Sequence, residues 1–228
     1  MAETGEDAAV VDGRATRWAG QQQRRREEFV DAAVQAIAEH GPETSVEQIA
    51  AQAGVARTRL YRHFQGLDEL NRALATRVEA QILEGLAPAW DPSHSPATII
   101  RTAVTTHLTW LTEHDALYQY LVRHSVVTAG GRDAVTDVKR LISDMLVALL
   151  EQYVGLLGLA STLTRPLSFG LVGLVDGAAS QWVEDPQGVG TEEMVERLAR
   201  FIWSVLDGVL TEAGLEIDPS VPLDTMTD

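Results

Sequence analysis

Cysteine is absent from the 228 residues, which excludes disulfides, thiolate metal sites and a cysteine nucleophile. Positive charge is scarce. Eighteen lysines and arginines stand against 33 acids, a net charge of −15, which at first sight argues against any phosphate-binding role. Proline is thin as well: of eight residues, Pro88, Pro92 and Pro96 share one short break with Asp91, Ser93 and Ser95. Long apolar runs are missing, because Asp144, Glu151 and Asp176 interrupt the most apolar stretches well short of the roughly 18 residues that suggest a membrane span. The opening residues, Met1 to Asp12, are acidic and small, unlike a secretory leader. Alternating apolar and polar runs bounded by hairpin turns are not evident. What is present is 45% apolar and 22% charged residues, a composition that can build a packed core. The chain reads as an all-α protein of one or two domains, without a membrane segment and expected in the cytoplasm.

Charge is unevenly spread. Residues 1–13 carry four acids and no base, residues 14–77 hold ten arginines against eight acids, and residues 78–228 keep eight bases against twenty-one acids. A basic segment on an acidic body is a hint of a nucleic-acid module. A solvated arginine face is the plainer reading of the same numbers.

Helix signals fill the basic segment. Phe29, Ala33, Ile37 and His40 form one stripe at helical spacing, so a first helix is expected over about 22–39, ended by Gly41-Pro42. Thr44-Ser45-Val46-Glu47 has the form of a capping box, with Thr44 accepting the Glu47 amide, and predicts a short helix over 45–52. Gly54 then supplies the turn, and a third helix is expected over 57–64 with Leu60 and Phe64 facing inward. A fourth begins near Asp68 and Glu69, acids well placed at its positive end.

Two short helices around a glycine turn form a helix-turn-helix pattern. The second helix can enter a major groove about 12 Å wide if its outer face carries donors. That face reads Arg57, Thr58, Arg59, Tyr61, Arg62 and His63, with guanidinium forks for guanine edges and hydroxyls for phosphates. Thr44 and Ser45 would set a helix N-terminus where a phosphate could sit. An ordinary helical hairpin with a wet arginine face is the plainer reading of the bare pattern.

The segment 29–74, FVDAAVQAIAEHGPETSVEQIAAQAGVARTRLYRHFQGLDELNRAL, resembles the DNA-binding domain of TetR (tetracycline-repressor-like) regulators. The matching elements are Glu39-His40-Gly41, Thr44-Ser45-Val46, Ile49-Ala50, Ala53-Gly54-Val55 and Leu60-Tyr61-Arg62-His63-Phe64. Three positions depart from that pattern: Ala56 stands where many relatives have a capping serine, Leu67 replaces a lysine, and Gln65-Gly66 replaces a Pro/Asn pair. Arg14, Arg17 and Arg24 to Arg26 offer a basic arm in partial compensation, or else a solvated leader. The resemblance implies an all-α fold, a helix-turn-helix domain followed by a helical effector-binding and dimerisation domain. The divisions expected are a disordered leader over 1–21, the DNA-binding domain over 22–66, the body over 67–215 and a flexible tail over 216–228.

In the body, helices are expected over 97–128, 132–157, 168–184 and 191–212. Gly170, Gly173 and Gly177 repeat at i, i+3 and i+7, a track that suits close approach of another helix, since glycine costs ~1 kcal/mol against alanine in a helix interior. With Leu198, Phe201, Ile202 and Val205 of the last helix they form the expected dimer interface, by resemblance to the family's terminal helix pair; packing within one subunit is the alternative. His107, Trp110 and His114 share a helical face, with Tyr118 following, and Asp144 and Asp176 interrupt apolar helices. These six are the candidate ligand contacts of a largely apolar effector site, though for each a satisfied structural role competes. A metal site from His107 and His114 lacks a third ligand, and neither metal nor cofactor is expected.

The reading is a dimeric, ligand-responsive regulator, a repressor by family habit, on a near-palindromic duplex operator. A DNA-binding dimer without an effector is one alternative. The other, a helical enzyme using the His107/His114/Asp144 region, lacks any phosphate-loop, nucleophile-elbow or zincin motif.

Overall fold

The computed structural model describes residues 13–91, 93–124, 134–157, 161–222 and 225. Among them the chain forms nine α-helices, two short 3-10 turns and no strand. These are α1 (Gly13–His40), α2 (Val46–Gln52), α3 (Arg57–Leu60), α4 (Leu67–Leu86), α5 (Pro96–Glu113), α6 (Asp115–Arg123), α7 (Ala134–Leu157), α8 (Thr164–Glu184) and α9 (Thr191–Glu212).

The first helix starts earlier than its apolar stripe predicts. Residues 13–21, expected to be an unstructured leader, are helical, and 1–12 lie outside the described residues. Gly41, at φ +83°, ends α1 in a conformation that favours glycine. The cap of α2 differs from expectation by one residue. Ser45, not Thr44, is the N-cap: its hydroxyl accepts the Gln48 amide, and Gln48 Oε1 accepts the Ser45 amide at 2.8 Å. A glutamine in place of Glu47 completes the box because it sits three residues on from the true cap. Gly54, at φ +65°, makes the turn into α3. That helix is a single α-turn; tighter bonds from Arg62 N to Arg59 O and His63 N to Leu60 O carry the chain on to Phe64.

Phe29, Ile37, Ile49, Leu60 and Phe64 form one buried cluster. It does not stop at the expected boundary of residue 66. Leu70, Leu74, Val78 and Ile82 of α4 continue it to Leu117 and Tyr120 of α6 and Val138 of α7. A polar link runs beside this seam, where the buried Tyr120 hydroxyl donates to Asn71 Oδ1 at 3.3 Å. Burial pushes the Tyr120 phenol up to about 12.

A single helix expected over 97–128 is two. The chain bends at His114, whose non-helical φ of −125° closes α5 and opens α6. A second cluster then joins Leu108 and Leu111 of α5 to Leu171 and Trp182 of α8 and Leu198 and Ile202 of α9. The expected flexible tail is partly tied down, for the Pro219 carbonyl accepts the Ala97 amide at 2.9 Å.

Removing the α2 cap with Ser45→Ala should lower unfolding free energy by about 1 kcal/mol, read as a lower urea midpoint at unchanged slope. Thr44→Ser should keep most stability, since its hydroxyl still reaches the carbonyls it serves.

Candidate nucleic-acid interface and ligand cavity

Leu60 and Phe64 are fully buried, and because they face the core the alternate side of α3 faces out. Arg57, Thr58, Arg59 and Arg62 are exposed there, with Tyr61 half-buried at the edge. Arg26 of α1 fixes this segment from behind. Its guanidinium donates to the His63 carbonyl, pairs with Glu69 at 2.7 Å and lies 4.4 Å from the Phe64 ring centroid. The Gln65 amide, then Arg26, hold the Glu69 carboxyl below the usual carboxylate range.

The exposed cations are not equivalent. Arg57 is engaged: it pairs with Glu47 of α2, meets the Tyr61 hydroxyl at 3.4 Å and lies 5.3 Å from that ring's centroid. The Tyr61 hydroxyl, then Glu47, push its protonation range still higher. Arg59 and Arg62 make no ion pair or side-chain hydrogen bond among the described residues, so their donors are directed to solvent.

Three expected contacts are placed differently. Thr44 is 4% exposed and its hydroxyl donates inward to the Gly41 carbonyl at 2.5 Å, so it presents nothing to a duplex. His63 is half-buried with its ring 5.1 Å from that of Phe29, a packing position. Ser45 spends its hydroxyl on the cap. Sequence reasoning missed Arg26, Glu47 and Glu69 as organisers of the face, since each finds its partner across a helix boundary. The side chains of Arg14 and Arg17 lie outside the described residues.

The body holds a partly open cavity of about 520 Å³, walled mainly by apolar side chains of α4 to α9. His107, Trp110, Tyr118 and Asp176 line it, whereas His114 and Asp144 do not. His114 caps α5 and stacks on Trp110 at 5.1 Å, and Asp144 pairs with Arg165 at 3.1 Å on the surface. The catalytic grouping of His107, His114 and Asp144 is therefore not assembled. Asp176 pairs with Lys139 at 2.5 Å, Tyr118 bonds the Ser180 hydroxyl at 3.0 Å, and Ile217 of the tail reaches the same wall. Among the described residues no group of three His, Cys, Asp or Glu could hold a metal, and no helix is long and apolar enough to cross a membrane.

On the outer surface, Gly170, Gly173 and Gly177 are exposed and a Cβ at any of them would meet nothing within 4 Å. Phe201 is 53% and Val205 40% exposed on α9. Leu198 and Ile202, expected beside them, instead fill the subunit's own core at 0% and 8%.

Comparison with known proteins accords with this layout. The family model described as bacterial regulatory proteins, tetR family, matches residues 29–74, and one described as tetracyclin repressor-like, C-terminal domain, matches 96–205. An uncharacterized HTH-type transcriptional regulator of Mycobacterium tuberculosis (strain ATCC 25618 / H37Rv) is 27% identical over 90% of this chain and 86% of its own. The HTH-type transcriptional activator FasR of Mycolicibacterium smegmatis is 25% identical over 81% and 84%. Among solved structures, a TetR-like transcriptional regulator from Rhodococcus sp. RHA1 aligns at a TM-score of 0.59 with 25% identity, covering 81% of this chain and 96% of that one. The regulator FadR from Bacillus subtilis, in complex with stearoyl-CoA, aligns at 0.60 with 20% identity over 77% and 96%.

Burial holds His107 below the ordinary histidine range, against the opposing pull of Asp176. The unfolded chain therefore binds this proton first, at about pH 6.5, so stability is retained above that pH and lost as pH falls through it. A melting series from pH 7.5 to 5 should show a smaller drop in Tm for His107→Gln than for the parent chain.

Proposed function

The chain belongs to the tetR family of bacterial transcriptional regulators, and from that premise we propose that it binds a near-palindromic operator as a twofold dimer and releases it when a largely apolar effector fills the body cavity. The observation that carries the DNA half of this reading is the outward strip of α3. Leu60 and Phe64 lock it to the core while Arg59 and Arg62 stay uncommitted. Guanidinium forks in that position suit paired acceptors on guanine, each such contact discriminating by about 1–3 kcal/mol.

Dimerisation is supported by the open glycine track of α8 and by Phe201 and Val205 of α9, apolar surface beside backbone that another helix can approach closely. A twofold pair of subunits would present its recognition helices about 34–36 Å apart, one turn of duplex. Coupling is supported by α4. It supplies Leu70 and Leu74 to the DNA-binding core and Val78, Ile82 and Leu86 to the cavity wall. An effector that favours one placement of α4 changes the spacing of the two α3 helices, and operator binding opposes effector binding by the same factor. The apolar walls set the effector's character, and the B. subtilis FadR complex with stearoyl-CoA is one apolar-chain ligand in this fold.

Repression is the direction we propose, by occupancy of promoter DNA in the cytoplasm. FasR, an activator by name, marks the opposite direction, and a promoter–reporter fusion separates the two. The duplex target is found by selecting sites from a random pool with the purified chain. On the selected site, Arg59→Ala and Arg62→Ala should each cost roughly tenfold or more in specific affinity by gel shift. Unchanged affinity in both would remove α3 as the reading element. Phe201→Glu should shift the chain from dimer to monomer in sedimentation and weaken operator binding with it.

A further inference from the structure

We propose that the effector is an uncharged amphiphile, a long apolar chain ending in a single hydroxyl or amide, and that Gln81, His107 and Trp110 hold its head between α4 and α5. This rests on the effector reading above and names the chemistry of the same site.

Three side-chain atoms in this region are shielded from solvent and lack a hydrogen-bond partner among the described residues: Gln81 Oε1, His107 Nε2 and Trp110 Nε1. Buried polar atoms without partners are rare and costly in folded chains. These three do not lie apart. Gln81, His107 and Trp110 line one niche of about 340 Å³ between α4 and α5, and His107 and Trp110 also border the main cavity. On α5 they are three residues apart and so share a face. A molecule whose chain fills the cavity can thus bring its end to both.

The atoms specify what that end must do. Gln81 Oε1 accepts, Trp110 Nε1 donates, and a neutral imidazole nitrogen does either according to tautomer. A hydroxyl or a primary amide donates and accepts together. A carboxylate only accepts and an ammonium only donates, so each would leave part of the set unsatisfied.

Charge points the same way. The charged residues lining the cavity are Lys139, Asp176 and Glu212, and Glu113 borders the niche. Lys139, the chain's single lysine, is paired with Asp176 at 2.5 Å. His107, between these groups, is kept uncharged by burial. A carboxylate head would find a single base, already paired with Asp176, and two exposed acids, Glu113 and Glu212, at the rim, and an uncompensated buried charge is strongly disfavoured. The rest of the cavity suits a chain: its lining follows α5 from Pro96 to Leu111, about 22 Å at the helical rise, between the apolar faces of α7, α8 and α9.

The test uses the full-length chain and four probes of equal chain length, dodecanol, dodecanamide, dodecanoate and dodecylamine, titrated by calorimetry at pH 8. Dodecanol and dodecanamide should bind at least tenfold tighter than either ion. Gln81→Leu, which keeps bulk, and Trp110→Phe, which keeps an aromatic ring, each remove the polar atom and should weaken the two neutral probes about tenfold. Gln81→Leu, which removes an acceptor that a carboxylate cannot satisfy, should leave dodecanoate binding no weaker and the ligand-free Tm unchanged or higher. Equal or tighter binding of an ion overturns the proposal, as does full affinity of the neutral probes for both variants, or no binding by any probe. Gel shifts with the same probes separate the two readings. Neutral probes that bind as stated yet leave the operator bound uphold the head-group assignment and refute effector control. Operator release by a probe whose affinity ignores Gln81 and Trp110 upholds effector control and refutes the assignment.

Discussion

The seating of Leu60 and Phe64 in the core is the contact on which the other features depend. A helix of four residues has no stability of its own, because helix nucleation is unfavourable and short segments persist only through tertiary packing. Two fully buried side chains four residues apart give α3 that packing, and Arg26 adds a backbone contact at His63 and a cation over the Phe64 ring. With the inner side committed, the outward direction of Arg57, Arg59 and Arg62 is geometry rather than chance. Shortness is useful here: a single turn followed by tighter turns exposes several consecutive side chains over a small footprint.

The same apolar cluster continues through α4 into the body, so the two halves of the chain share one packed seam. Leu70 and Leu74 belong to it on one side, and Ile82 and Leu86 touch the cavity on the other. Close-packed interiors transmit displacement rather than absorb it. Two exposed ion pairs, Arg77 with Asp31 and Arg123 with Glu43, cross the same junction. Exposed pairs of this kind add little stability.

Much of this was legible in the residues. Apolar spacing in 29–37 and the glycines at 41 and 54 located the first turns of the fold, and the bounds of α9 agree with the apolar face of 191–212. The differences have local causes. Thr44 and Ser45 are adjacent and both competent caps; which one caps depends on where α1 hands over the chain, and Ala36 and Gly41 carbonyls claim the threonine. The break at His114 carries no proline or glycine, so periodicity ran through it. In α9, Leu198 and Ile202 share an apolar face with Phe201 and Val205, and only the position of α5 divides that face into a core side and an outer side. Asp144 and Asp176 look alike as acids inside apolar helices, yet one turns to the surface and the other to the cavity. Arg26, Glu47, Glu69 and Gln81 act on partners outside their own helices, and no spacing rule within one element reveals that.

Glu47 seated against Arg57 bears on how the protein would travel before it settles. A phosphate drifting past must displace a carboxylate to gain that guanidinium, and a body carrying most of the chain's negative charge repels the polyanion at longer range. Sticking to arbitrary duplex is thereby shortened. On the reading proposed above, search would then lean on dissociation and three-dimensional hops more than on extended one-dimensional sliding.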